Sequence, residues 1–354
     1  MQFEIFESNS NILNEVLKIY NAKNKVLPYL SINYLKTINT TLNAKLKFLI
    51  ASNEGKINGY LPIIEKETEY GIISNSLPFF GSIGSFVCIN DFYDIDRLFE
   101  FIDYYNKNNN ITSYSYITDP FNDNYKTPNS FKSIDKRIQV THLPIDKNRI
   151  INFEYYDPRV RRNIKKAINS KIEIKKEYFT EDNIIEFHKI HELSMKLSNG
   201  NIKPIRFFTE FLKNAHPQDY SLYFAYKENI KISAILLLKN KFVYEYFIPC
   251  TLPEFRNLQP SSLIIHNAFL ESIENNIFIW NWGGTGFNQQ SLYEFKKKWG
   301  GKDFKYKLTS DKINDCLIAF SAKGPKTIDK TIINISDIEI KKKCDGFFVK
   351  PFIN

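Results

Sequence analysis

SLYFAYKENIKISAILL, residues 221–237, decides the fold. It reads as a β-strand, a tight polar turn at Lys227-Glu228-Asn229, and a second strand, which makes an antiparallel hairpin. FLIASNEGKINGYLPI, residues 48–63, has the same build, with its turn at Asn53-Glu54-Gly55-Lys56. The two share a pattern more than an identity, so one supersecondary plan is expected twice in the chain.

Working outward from 221–237, the second half reads as a helix over about 158–169, the strand IEIKKEYF, a helix over 181–197, three strands ending in KFVYEYFIP, a helix over about 261–275, the strand IFIWNW and the amphipathic stretch SLYEFKKKW. In the first half, residues 44–90 give a meander of short strands, and Phe92, Ile95, Leu98, Phe99 and Ile102 give a helical spacing over 92–107. This is an α+β order with mostly antiparallel strands flanked by helices. Pro120, Pro128 and Pro144 punctuate residues 120–148, which read as the joint between an N-terminal half (1–148) and a C-terminal half (149–354). Residues 320–354 show no pattern beyond one or two strands.

At 354 residues the chain is long for one core, and 15% aromatic residues call for large, well-filled ones. The excess of 48 Lys+Arg over 39 Asp+Glu favours an anionic partner such as tRNA, a phosphorylated donor or a membrane surface, and also fits a surface rich in lysine. Cys88, Cys250, Cys316 and Cys344 lack metal-ligand or disulfide spacing and read as buried thiols. His188 and His191 sit one turn apart without a third ligand, so no metal is expected, and both read as surface or groove residues. No G-x-S-x-G, P-loop or H-E-x-x-H occurs, which removes the support for hydrolase, NTPase and zinc-protease chemistry. The start, MQFEIFESNSNIL, has no basic n-region, and no run approaches the length of a membrane span, so a cytoplasmic location is expected, with room for peripheral membrane contact.

The segment NWGGTGFNQQSLYEFKKKWGG, residues 281–301, poses a sharper question in a chain with only 13 glycines. A Gly-Gly pair after an apolar strand marks a turn needing positive φ or a close approach to the backbone. Together with RRNIKKAINSKIEI (161–174), LYFAYKENIKISAILLL (222–238), PSSLIIHNAFLESI (260–273) and, more loosely, SLPFFGSIGS (76–85), this segment resembles the GNAT-like acyltransferases of the Fem type. Those enzymes attach amino acids to cell-wall peptide precursors, and their relatives include surface-glycan N-acetyltransferases. The resemblance implies two tandem GNAT-like halves, an acceptor side over 1–148 and a catalytic donor side over 149–354. It implies no tightly bound cofactor, and an acyl donor that is either aminoacyl-tRNA or acyl-CoA. The acceptor would be an amine of a small-molecule or lipid-linked glycan or peptide precursor.

The resemblance also places the candidate site. The pattern Gly-Gly, Leu-x-x-Phe-Lys and aromatic-Gly falls here on Gly283, Gly284, Leu292, Phe295, Lys296, Trp299 and Gly300. Lys296 and Phe295 are its catalytic candidates, Lys296 offering charge to the oxyanion of acyl transfer; Lys296, Lys297 and Lys298 also fit a solvated helix face. Glu245, inside a strand, is the candidate base, or pairs with a nearby cation. Gly283, Gly284, Tyr246 and the helix start at Ser261 and Ser262 are donor-binding candidates, the serines fitting a plain cap as well. FRNLQPSS (255–262) carries no glycine, unlike the Gly-rich loop of coenzyme A enzymes. On the acceptor side stand Arg161, Arg162 and Lys165, on a helix opened by Asp157 and Pro158 with an apolar stripe of Val160, Ile164, Ala167 and Ile168. Ser76, Phe79 and Gly81 complete it, in an expected cleft between the halves.

Overall fold

The computed structural model describes residues 1–310 except 69, 70, 78–81, 91–93, 123–131, 199, 201 and 288. Phe79 and Gly81, Cys316 and Cys344, and the stretch 320–354 lie outside the described residues. The chain packs as two compact units, one of Met1–Lys136 with the residues from Lys305, the other Arg137–Phe304.

The first unit runs β1 (Gln2–Glu7), α1 (Ser10–Ala22), α2 (Ile32–Leu42), β2 (Lys45–Asn53), β3 (Lys56–Thr68), β4 (Gly71–Asn75), β5 (Val87–Cys88), α3 (Ile95–Asn108) and β6 (Ile111–Ile117). The second continues with β7 (Lys132–His142), α4 (Asn148–Ile151), α5 (Pro158–Asn169), β8 (Glu173–Glu177), α6 (Glu181–Leu197), α7 (Ile205–Asn214), β9 (Tyr220–Lys227), β10 (Ile230–Lys239), β11 (Val243–Thr251), α8 (Pro260–Glu274), β12 (Ile279–Gly284), α9 (Gln290–Lys298) and the start of β13 (Lys302–Ser310). The order strand, two helices, three-strand meander, helix, strand occurs twice: β1 to β6 with β5 as an extra, and β8 to β12.

Both hairpins close in the same way. Asn53 pairs with Lys56 across Glu54 (φ 50°) and Gly55 (φ 76°), and Lys227 pairs with Ile230 across Glu228 (φ 51°) and Asn229 (φ 69°). Two left-handed residues between paired strands follow the twist of a hairpin, the conformation expected from the Glu-Gly and Glu-Asn dipeptides. In each unit the helix after the meander returns the chain to a parallel pairing, β4 with β6 and β11 with β12. The other described pairings are antiparallel.

In the second unit, β7, β12, β11, β10, β9 and β8 lie side by side. Alternate residues of β9 feed two cores: Tyr223 and Ala225 join the side of α5 and α8, while Phe224 meets Phe187 of α6. The first core stacks Tyr156, Phe269, Trp280, Trp282 and Trp299, and the second gathers Phe179, Phe187, Phe207, Phe208 and Phe211. Two aromatic layers account for the aromatic content. The first unit packs Leu49, Leu61, Ile63, Tyr114 and Tyr116 against Leu98 and Ile102 of α3.

Three details differ from the sequence reading. The second unit begins at Arg137, before the proline-punctuated joint ends, because β7 pairs with β12 through Ile138, Val140, Thr141 and His142. Residues 308–310 pair with β6 and so belong to the first unit. Along α5, Val160, Ile164 and Ala167 are buried, but Ile168 is exposed, so the apolar stripe is narrower than its spacing implied.

Candidate functional site

The parallel pairing of β11 and β12 runs from Val243 and Ile279 to Glu245 and Asn281 and stops there, although β11 continues to Thr251 and β12 to Gly284. At that last pair both side chains are fully buried, and Asn281 Nδ2 donates to Glu245 Oε2 at 2.7 Å. Asn281 Oδ1 in turn accepts from the Gly283 N–H at 2.9 Å, which pins the turn after the strand. Gly283 sits at φ +68°, where a side chain is strained, and a Cβ there would stand 3.4 Å from Glu245 Oε1. The first glycine of the pair is therefore set by backbone conformation, and a side chain there would touch the buried Glu245 carboxylate.

α9 then brings Lys296 back onto this turn. Its ammonium donates to Gly283 O and Gly284 O, each at 3.1 Å, and to Thr285 Oγ1 at 2.7 Å, using its three protons. Lys296 is 3% exposed, whereas Lys297 is exposed and Lys298 half-buried, so the lysine run is not one solvated face. Burial pushes the Lys296 pKa down to about 7, against the pull of the Glu245 carboxylate and with a push from Arg137. The site thus holds a buried carboxylate and a buried amine beside an open point of the sheet.

One face of β7 supports α9. Arg137, Gln139 and Thr141 alternate with Ile138 and Val140, both fully buried. Arg137 lies over the rings of Tyr293 (4.1 Å) and Phe287 (4.7 Å) and pairs with Asp303 at 3.5 Å. Gln139 Nε2 donates to Tyr293 O at 3.2 Å, and Thr141 Oγ1 accepts from Trp282 Nε1 at 2.8 Å and donates to Trp299 O at 3.1 Å.

The other sequence candidates fall in separate places. Phe295 packs its ring on Trp282 and Trp299, which anchors α9 but offers nothing to a reacting atom. Half-buried Tyr246 stacks edge-on against Trp282 at 5.0 Å and forms a wall. Ser261 Oγ bonds Thr251 Oγ1 at 2.8 Å and Ser262 is buried; neither caps α8, whose N-cap Gln259 makes no side-chain cap bond. The plain-cap reading of the serines therefore fails. Asp157 does cap α5, and Arg161, Arg162, Lys165 and Lys166 line an open groove of about 550 Å³ with Pro158, Asn169 and Ser170. The start of α5 lies in the field of α9, since Asp157 senses Lys298 and Arg159 senses Glu294. Ser76 is fully buried in the first unit, its N–H donating to Ser115 O at 3.1 Å.

His191 belongs to the interior rather than to the surface, whereas His188 is half-buried. His191 Nε2 accepts from the Lys203 N–H at 3.1 Å and His188 Nε2 meets Lys203 O at 3.0 Å, so the pair clamps one loop residue, and burial pushes His191 down to about 3. Lys203, which sequence reasoning missed, is itself buried beneath Phe247 and pushed down to about 8 by burial. Asn281, Thr285, Gln139 and Arg137 were missed as well. The Arg-Ile-Gln-Val-Thr alternation was the available signal for β7. Cys88 and Cys250 are buried free thiols. Among the described residues no three metal-binding side chains gather, and no helix is long and apolar enough to cross a membrane.

Residues 221–306, which hold β9 to β12, the glycine turn and Lys296, match the FemAB family. The fold is similar to the crystal structure of FemX, at 12% identity and a TM-score of 0.62 over 86% of this chain and 96% of that one. It is also similar to L-PGS from Bacillus licheniformis (10%, TM-score 0.53, 88% and 94%) and to a tandem GNAT protein from the clavulanic acid biosynthesis pathway (7%, TM-score 0.52, 87% and 98%). At these identities the likeness is one of fold; the hairpins announced a repeated plan, and the resemblance gave that plan its GNAT-like form. No curated protein sequence matches the chain.

Proposed function

Taking the chain as a GNAT-like acyltransferase with a Fem-type region at residues 221–306, we propose that it moves an aminoacyl group from charged tRNA onto an amine of a cell-envelope precursor, in the cytoplasm. The observation that carries the reading is the buried Lys296 held on the Gly283-Gly284 turn beside Glu245. Attack of an amine on the ester carbonyl builds a tetrahedral oxyanion, and a cation in a water-poor site stabilises it far more than one in solvent. Glu245, or a water beside it, takes the proton that the attacking nitrogen must lose. No tightly bound cofactor is needed for these steps. A non-catalytic tRNA- or glycan-binding module is the reading that a Lys296 exposed on a helix far from any cleft would favour; the buried ammonium speaks for the enzyme.

The donor is read from charge. The groove on α5, read from the sequence as an acceptor contact, is lined by four cations and no acid, which suits the polyphosphate backbone of a tRNA donor better than a small acyl carrier. Similarity to FemX and to L-PGS supports aminoacyl transfer, with a peptide, glycan or lipid-linked precursor as acceptor. Similarity to the tandem GNAT protein supports a second reading, acyl-CoA as donor and a nucleotide-linked amino sugar as acceptor.

The test is transfer of a labelled amino acid from bulk charged tRNA to nucleotide- and lipid-linked envelope precursors, with acetyl-CoA in parallel. Transfer from tRNA that Lys296→Met abolishes, and that moderate salt weakens through tRNA binding, is expected. Transfer from acetyl-CoA alone would replace this donor with the second one.

A further inference from the structure

Lys296 does not choose its own hydrogen-bond partners; a chain of fixed polarity leads to it from β7. The Tyr293 carbonyl can only accept, so it orients Gln139 with Nε2 toward it (3.2 Å) and Oε1 away. Oε1 can also only accept, so the Thr285 hydroxyl gives its one proton to it (3.3 Å). The Thr285 oxygen is left with lone pairs alone for the 2.7 Å contact to Lys296 Nζ. Gln139 is fully buried, Thr285 is 4% exposed, and Thr285 is tied to β7 again by its N–H on Arg137 O at 3.3 Å, so no water is needed to complete the chain.

We propose that Gln139 and Thr285 are positioning residues that fix Lys296 as a three-proton donor on the glycine turn. A hydroxyl free to rotate would serve the neutral amine as a donor and the ammonium as an acceptor, and so would favour neither. A hydroxyl whose proton is committed to Gln139 serves the charged form and opposes the neutral one. The other charged groups facing the amine are Glu245 from β11, which favours the ammonium, and Arg137 from β7, which opposes it and is itself paired with Asp303. Of its helix neighbours, Lys297 is exposed and Lys298 half-buried.

Only the catalytic purpose of this chain rests on the acyl-transfer reading, so the test reads Lys296 directly. Protein carrying lysine labelled with carbon-13 at Cε is titrated by NMR, the Lys296 signal being assigned by its loss in Lys296→Met. The wild-type midpoint is expected near 7. Thr285→Val is expected about one pH unit lower, roughly a tenfold loss of proton affinity, and Thr285→Ser back at the wild-type value. Gln139→Met, close in volume and without the acceptor, is expected to lower the midpoint by a smaller step and serves if Thr285→Val does not fold. Equal midpoints in all folded variants would overturn the proposal, as would a wild-type midpoint at the ordinary lysine value. Where transfer is measured, Thr285→Val lowers kcat with KM unchanged, and Thr285→Ser restores it. Absence of transfer in every variant, with the midpoints shifted as stated, would strike the acyl-transfer reading and leave the chain standing.

Discussion

The two parallel strand pairs end on the same device with different charge. In the first unit the pairing of β4 with β6 closes on Asn75 and Ser115, buried, with Asn75 Nδ2 donating to Ser115 Oγ at 2.6 Å. In the second, β11 and β12 close on Glu245 and Asn281, also buried, with Asn281 Nδ2 donating to Glu245 Oε2 at 2.7 Å. A neutral hydroxyl stands in one scaffold where a carboxylate stands in the other. Only the second is followed by a left-handed glycine and a helix that returns an ammonium beside the carboxylate. The doubled fold supplies a buried polar pair in each unit, and the proposed chemistry sits where that pair carries charge, since a buried charge is costly unless it is matched or used.

The strongest way to break this contrast is to remove the ammonium. Lys296→Met is expected to lower transfer by about 10²–10³-fold, the order of loss when a buried group that stabilises transition-state charge is removed. It also tests burial without substrate. The folded chain releases the Lys296 proton near 7 while the unfolded chain holds it to about 10.5, so folding releases a proton between these values. Wild-type stability, measured against Lys296→Met by urea melts, should rise across that window and stay level below it. A difference that does not change with pH would mean that the amine is solvated.

Next in size is the tie between each crossover helix and its meander. In the second unit the Glu271 carboxylate accepts from Ser221 and Tyr244 at 2.7 Å and from Tyr223, and pairs with Lys239 and Lys176 at 3.0 Å. Burial raises its pKa, but these hydroxyls and Lys239 outweigh it and hold it at about 2. In the first unit, among the described residues, Glu65 holds Lys47 at 2.8 Å and the Tyr105 hydroxyl at 2.9 Å. Glu271→Gln should cost about 3 kcal/mol, more than Glu65→Gln, because it leaves two lysines short of a partner. The Glu271 contribution is full above the ordinary carboxylate pKa of 4.5 and fades as pH falls toward about 2. Acid melts of the two variants against wild type decide it.

What could be read from the chain follows the range of the interactions. The hairpins at 53–56 and 227–230 were legible because a two-residue left-handed turn is a local matter. α5 was legible at its cap, Asp157 with Pro158, and α6 in its span over 181–197. β7 was not, although Arg-Ile-Gln-Val-Thr alternates, since its partner β12 lies about 140 residues on and three prolines around it read as a joint. Lys296 could be singled out by the family resemblance and Glu245 as a carboxylate inside a strand, but their meeting depends on the register that sets Glu245 opposite Asn281. Asn281, Thr285 and Gln139 have no signature at all, because an amide or hydroxyl acquires its role only from the direction of its neighbours' protons. α1 and α2 escaped the reading even though Asn9 and Ser31 cap them, as no strand pattern drew attention to residues 10–42.

A smaller effect sharpens the contrast from the neutral side. Ser115→Ala removes the acceptor of Asn75 Nδ2 inside the first unit and should cost about 1–2 kcal/mol of stability, with transfer unchanged. A loss of transfer in this variant would show that the first scaffold also serves the reaction.

The smallest stability effect separates conformation from chemistry. Gly55 in the first hairpin and Gly283 after β12 are both left-handed, at φ +76° and +68°. Alanine at either should cost about 1 kcal/mol, the strain of a Cβ in that region. Their surroundings differ: a Cβ at Gly55 meets nothing within 4 Å, whereas one at Gly283 stands 3.4 Å from Glu245 Oε1. Gly55→Ala and Gly283→Ala should therefore melt alike, and only Gly283→Ala should lower transfer, because its methyl contacts the buried carboxylate. Equal activity in the two variants would place the reacting groups on another side of Glu245, and would leave Gly283 with a purely conformational reason to be glycine.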